Sequence, residues 1–240
     1  MTLHALYEAL DALSPFELQE KWDNSGLIVG DPAQEITTIV LSIDVDEALL
    51  ESLEEGTLLI THHPLIFGGL GALDFTQYPA KLLQIMVKKN IANIAMHTNF
   101  DQTHLNRWVA QEVLGQTAIE QEGFLACFDV DTDFETYACD VAERFGLAQL
   151  KTVQCHERLK RVALVTGSGA SLMHGLKADC LLTGDIKYHD AMEAKALGLS
   201  MIDIGHFESE RFFPEVLAPH LKNFGLTVII SSSKNPFTYY

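Results

Sequence analysis

Five side chains have the types and spacing of a metal site: His62 and His63, adjacent at the end of an apolar run; Asp101; and His206 with Glu210. Imidazole and carboxylate without thiolate suit a borderline transition metal such as Zn, Mn, Fe, Co or Ni. Successive residues of an extended segment point to opposite sides. His62 and His63 therefore cannot both enter the core, and Pro64 holds His63 extended while ending the strand. Neighbouring ligands that point apart serve two ions better than one. Five side chains do not saturate two ions, which leaves positions for a water and a substrate. Two cations roughly 3.5 to 4 Å apart activate water at neutral pH and clamp an oxyanion, so the expected chemistry is hydrolysis.

Each carboxylate also has a structural reading. Asp101 could cap the following helix, and Glu210 could be an acid in a first helical turn. Their joint position, each four residues past a strand-ending histidine (His97 and His206), favours ligation. His97 and His189 are secondary candidates, as general acid or base or as hydrogen-bonded structural histidines. Gly167-Ser168-Gly169 joins a strand to a helix, where free N–H groups could hold a phosphate; the alternative is a plain tight turn. Gly68-Gly69-Leu70-Gly71 is a similar case, or a rim loop over the metals. Asp23 and Asn24 read as turn formers.

The elements that must position these residues alternate. Leu3, Leu6, Leu10 and Leu13 mark an opening helix, and Ser14-Pro15 with Glu17 reads as a capping box for a second. Strands are expected at 39–43, 58–60 and 91–95, with helices at 46–53, 79–89 and 103–114. After Gly115 the pattern restarts, with strands at 123–130, 162–165, 180–182, 201–204 and 226–230 and helices at 134–145, 170–176, 189–197 and 209–224. Strands alternating with helices imply a largely parallel, helix-covered sheet. A ligand pair at a strand's C-terminal end fits the usual place for ligands in such sheets.

The chain also repeats. Placing Val40 on Val162 without a gap brings Thr61 onto Thr183, an offset of 122, and His97 falls on His206 at an offset of 109. The reading is an α/β fold of two similar lobes by internal duplication, with mostly parallel sheets: residues 1–121 plus 207–240, and residues 122–206. His62-His63 of the first copy becomes Gly184-Asp185 in the second.

Composition narrows the partners. The 240 residues are 48% hydrophobic, enough for a large core, and no apolar stretch is long enough to span a membrane. The net charge of −17 repels polyanions and argues against broad nucleic-acid binding. A local cation can still attract a small anion. Four cysteines without paired spacing read as reduced core thiols of a cytoplasmic protein.

Trp22-Asp23-Asn24 with Gly26-Leu27, Thr61-His62-His63-Pro64-Leu65, His97-Thr98-Asn99 with Asp101, Thr183-Gly184-Asp185 with His189, and Gly205-His206 with Ser209-Glu210 resemble the GTP cyclohydrolase 1 type 2, or NIF3-like, family. The resemblance implies two α/β lobes, a cleft between them holding two divalent transition-metal ions, and a toroidal homohexamer. By position it makes His62, His63, Asp101, His206 and Glu210 the metal ligands. Asp185 stands where many members have Glu. The activity implied is conversion of GTP to dihydroneopterin triphosphate and formate. A metal-dependent phosphoesterase and a non-catalytic metal-binding scaffold are the alternatives.

Overall fold

A computed structural model describes residues 1–238; Tyr239 and Tyr240, at the end of the expected first lobe, lie outside the described residues. The strands are β1 (Gly26–Val29), β2 (Thr38–Ser42), β3 (Leu58–Thr61), β4 (Ala92–Ala95), β5 (Glu120–Glu122), β6 (Leu125–Asp133), β7 (Lys151–Val153), β8 (Arg158–Leu164), β9 (Cys180–Thr183), β10 (Ser200–Asp203) and β11 (Thr227–Ile230). They form two sheets, each within its own compact unit. Unit 1 is Met1–Phe100 with Phe213–Lys234, and unit 2 is Asp101–Phe212 with Asn235–Tyr240. Contacts thus divide the chain at 100/101, 212/213 and 234/235; the sequence pattern alone places the divisions at 121/122 and 206/207.

The sheet of unit 1 runs β1-β4-β3-β2-β11, parallel except for β1. β3 and β4 are buried at every residue, as expected of strands covered on both faces. On one face Val40 and Leu59 join Leu50 of the helix Glu47–Ser52 and Leu82, Leu83 and Met86 of the helix Ala80–Lys88. The helix Phe213–Leu221 packs on β2 and β11. The chain enters the first of these helices through Asp46, whose carboxylate accepts from the Leu49 N–H at 2.7 Å.

In unit 2 the order is β5-β6-β8-β9-β10-β7. Its middle strands β8, β9 and β10 are parallel and the flanking pairings antiparallel. Ala163, Leu181 and Met201 carry one face of the core, together with Met173, Ala194 and Leu199. The helix Phe134–Phe145 follows the sequence closely: Asp133 caps its N-terminus, and Gly146, at φ 71°, ends it in the left-handed region.

The duplication is visible in the sheets, with a one-residue slip. β2-β3-β4 and β8-β9-β10 are parallel triplets, each with an antiparallel strand beyond its third member, β1 beyond β4 and β7 beyond β10. Ile39 faces Leu58 as Val162 faces Cys180, so Ile39, not Val40, matches Val162. The Met96 N–H donates to the Thr61 carbonyl, and the Ile204 N–H donates to that of Thr183, each at 2.9 Å. His97 therefore corresponds to Gly205 rather than to His206, which corrects the alignment by one residue.

Other departures are local. Where Ser14-Pro15 is expected to open a helix, the Asp11 carboxylate accepts the Phe16 N–H and one 3-10 turn follows, Phe16–Leu18. The helix expected over 170–176 is a short 3-10 segment, Ala170–Met173. The one expected over 209–224 is two helices, His206–Glu210 and Phe213–Leu221. Cys127 and Cys180 are buried but Cys139 and Cys155 are exposed, so only two of the four are core thiols. No helix among the described residues is long and apolar enough to cross a membrane.

Candidate metal centre

In unit 1 the site begins where β3 ends. Beyond Thr61 the chain bends, so strand alternation no longer governs His62 and His63. Their rings lie 5.0 Å apart instead of diverging to opposite faces. His62 is fully buried against Phe213, and His63 is partly exposed. His97, two residues past β4, completes a cluster in which each of the three rings offers a donor nitrogen within 4.8 Å of the others.

Hydrogen bonds fix the tautomers. A carbonyl or carboxylate oxygen only accepts, so the ring nitrogen it meets carries the proton. His62 Nδ1 donates to the Met96 carbonyl at 3.0 Å, His63 Nδ1 to Asp44 at 2.8 Å and His97 Nδ1 to Asp23 at 2.8 Å. In each ring Nε2 is left as the electron-pair donor, the arrangement that metal-ligating histidines adopt. Burial pushes the Asp23 carboxyl up. Hydrogen bonds and charge from His97, the Thr98 hydroxyl and the Asn24 N–H outweigh that, so its pKa lies well below the usual carboxylate range. Asp23 is thus more than a turn former: its side chain is fully buried and ties residues 23–25 to the end of β4.

Unit 2 carries the other expected ligands. His206 opens the helix His206–Glu210, and its Nδ1 donates to Asp185 at 2.7 Å while its Nε2 faces Glu210 at 3.0 Å. Both ring nitrogens of His206 thus face carboxylates, so a cation belongs between Nε2 and Glu210, either a proton on Nε2 or a metal ion held by both. Two glycines make room for it. A Cβ on Gly184 would lie 2.6 Å from the His206 backbone nitrogen, and one on Gly167, at φ 63°, would lie 2.1 Å from the Glu210 carboxylate. Asp101 is buried and begins a π-helical stretch, Asp101–Leu105, within the helical segment that starts at Thr98. Such π turns often occur at functional positions.

A family model described as "Duf34/NIF3 (NGG1p interacting factor 3)" matches residues 1–236. The chain belongs to the DUF34/NIF3 family. Among its relatives, a Campylobacter jejuni protein named GTP cyclohydrolase 1 type 2 homolog is 46% identical over 241 residues, all of both chains. A Helicobacter pylori protein named GTP cyclohydrolase 1 type 2 is 43% identical over 231 residues, 95% of each. In fold, the chain resembles a Bacillus cereus protein related to NIF3, with a TM-score of 0.86 at 17% identity and coverage of 100% and 99%.

Other residues of this DUF34/NIF3 chain sit differently from the simplest reading. The Gly167 N–H donates to the Ser209 hydroxyl and the Gly169 N–H to that of Thr183, so two of the N–H groups considered for phosphate are engaged internally. Ser168 remains exposed between them. His189 is exposed at the start of the helix Tyr188–Leu197, with its ring against Tyr188. Asp44 escaped the sequence reading; Gly167 entered it only as a phosphate candidate, and Gly184 and Asp185 only as parts of the family motif, with no role for the acid. One signal for Asp44 was present: Ser42 pairs with Thr61 in register, which carries the residue two past β2 toward the residue two past β3.

Proposed function

We propose that His62, His63, Asp101, His206 and Glu210 hold two divalent transition-metal ions, and that the chain is a metal-dependent hydrolase acting on a nucleotide. The most specific form of this reading is GTP cyclohydrolase activity, with GTP and water giving dihydroneopterin triphosphate and formate. The observation that carries it is the shared tautomer of His62, His63 and His97, each with Nδ1 held by an oxygen and Nε2 as the electron-pair donor, beside His206 whose Nδ1 is held by Asp185 and whose Nε2 faces Glu210. The names of the Campylobacter and Helicobacter relatives support the substrate.

Bound divalent cations would supply Lewis acidity and a nucleophilic water at neutral pH. The protein's own groups do the rest. Asp44, Asp185 and the Met96 carbonyl fix the rotation of the ligand rings. His97 accepts the proton of the attacking water at Nε2, and the ionised Asp23 beside Nδ1 stabilises the imidazolium that results. His189 is a second proton carrier in this reading, supported only by its place in the family motif.

Metal-loaded protein incubated with GTP is the direct test. Formate together with a fluorescent pterin is the expected result. Inorganic phosphate without formate would make the protein a phosphoesterase, and no turnover of a nucleotide panel would make it a metal-binding scaffold.

A further inference from the structure

Two large aromatic side chains stand exposed beside His97, although burial is the energetically favoured place for such rings. Trp22 is 61% exposed and Phe67 49%. Trp22 meets His97 edge-on, with centroids 5.9 Å apart and planes at 75°; Phe67 does so at 5.5 Å and 86°. The segments that carry them are joined across 42 residues of sequence, since Asn24 Nδ2 donates to the Ile66 carbonyl at 2.7 Å. Asp23, between Trp22 and Asn24, is anchored to His97 and Thr98. Both rings are therefore held beside one histidine while about half or more of each side chain stays exposed.

We propose that Trp22 and Phe67 form an aromatic cradle that binds the planar heterocyclic base of the nucleotide beside His97. The inference rests on the nucleotide hydrolase reading above and names the residues that would recognise the base. A planar base offers a π face to such side chains whatever its hydrogen-bonding edge. The same contact places the base within reach of the His97 ring. A phosphate group would gain nothing from either aromatic ring, and the acidic chain gives it no general attraction.

The test uses tryptophan fluorescence. The chain has two tryptophans, so Trp108→Phe leaves Trp22 as the sole reporter. Guanosine should quench it and inorganic triphosphate should not. Adding Phe67→Leu should weaken guanosine binding roughly 5- to 150-fold, and Phe67→Tyr should restore it. Quenching by triphosphate but not by guanosine, or an unchanged guanosine affinity in Phe67→Leu, would overturn the proposal. Formate release from GTP separates the two readings. Release with unchanged guanosine affinity in Phe67→Leu leaves the hydrolase and removes the cradle. Phe67-dependent guanosine binding without formate leaves the cradle and removes the hydrolase.

Discussion

At the residue scale, four imidazoles share one device, an oxygen that holds Nδ1, and in His62, His63 and His97 this assigns Nε2 as the electron-pair donor. Removing that oxygen leaves the ligand in place but lets the ring turn. Asp44→Ala and Asp185→Ala should therefore weaken metal binding roughly 10- to 100-fold with the fold intact. Competition against a chromophoric chelator measures this directly, and affinities equal to the parent's would show that the acids do not orient the rings. Gly184→Ala should act differently, because its methyl would meet the backbone of residues 205 and 206 instead of a movable side chain. We expect both a lower thermal midpoint and loss of metal, read by calorimetry and elemental analysis on the same sample. In the sequence the adjacent histidines are a moderately specific signal, whereas the four-residue spacing of His206 to Glu210 is weak alone and counts only beside the matching spacing of His97 to Asp101. Asp185 stood in the family motif, but its role was not legible because its histidine partner lies 21 residues away in sequence.

At the element scale, Asn106 shows how the helical segment after β4 is fixed to the sheet of unit 2. Its Oδ1 accepts from both the N–H and the hydroxyl of Thr166, each at 2.7 Å, and its Nδ2 donates to the Phe124 carbonyl at 2.9 Å, all without solvent exposure of Asn106. Asn106→Leu would strand these polar groups and should destabilise the protein by about 3 kcal/mol. A fall in the urea midpoint at unchanged slope is the expected result; an unchanged midpoint would contradict it. Elements with strong local signals were legible, as in the helix Phe134–Phe145 with its Asp cap and its Gly stop. Short edge strands were not. β5 and β7 have three residues each, largely exposed and polar, so no alternation marks them. The segment from Thr98 was missed because Thr98 and Asn99 read as polar coil, yet both are buried, held by Asp23 and Ser14.

At the scale of the whole molecule, the duplication was legible as two parallel triplets. A gap-free alignment could not see the one-residue slip, which emerges only from hydrogen-bond register. The family resemblance implies a homohexamer, and light scattering should then return six times the chain mass of 26.6 kDa; a monomer would contradict it. The central proposal is that the chain holds two metal ions through His62, His63, Asp101, His206 and Glu210. Elemental analysis of protein purified without added metal, beside His63→Ala and Glu210→Ala, tests it most directly. The account predicts about two transition-metal ions per chain in the parent and loss of bound metal in each variant while the fold is retained. Full metal content in both variants, or none in the parent even after loading, would contradict it.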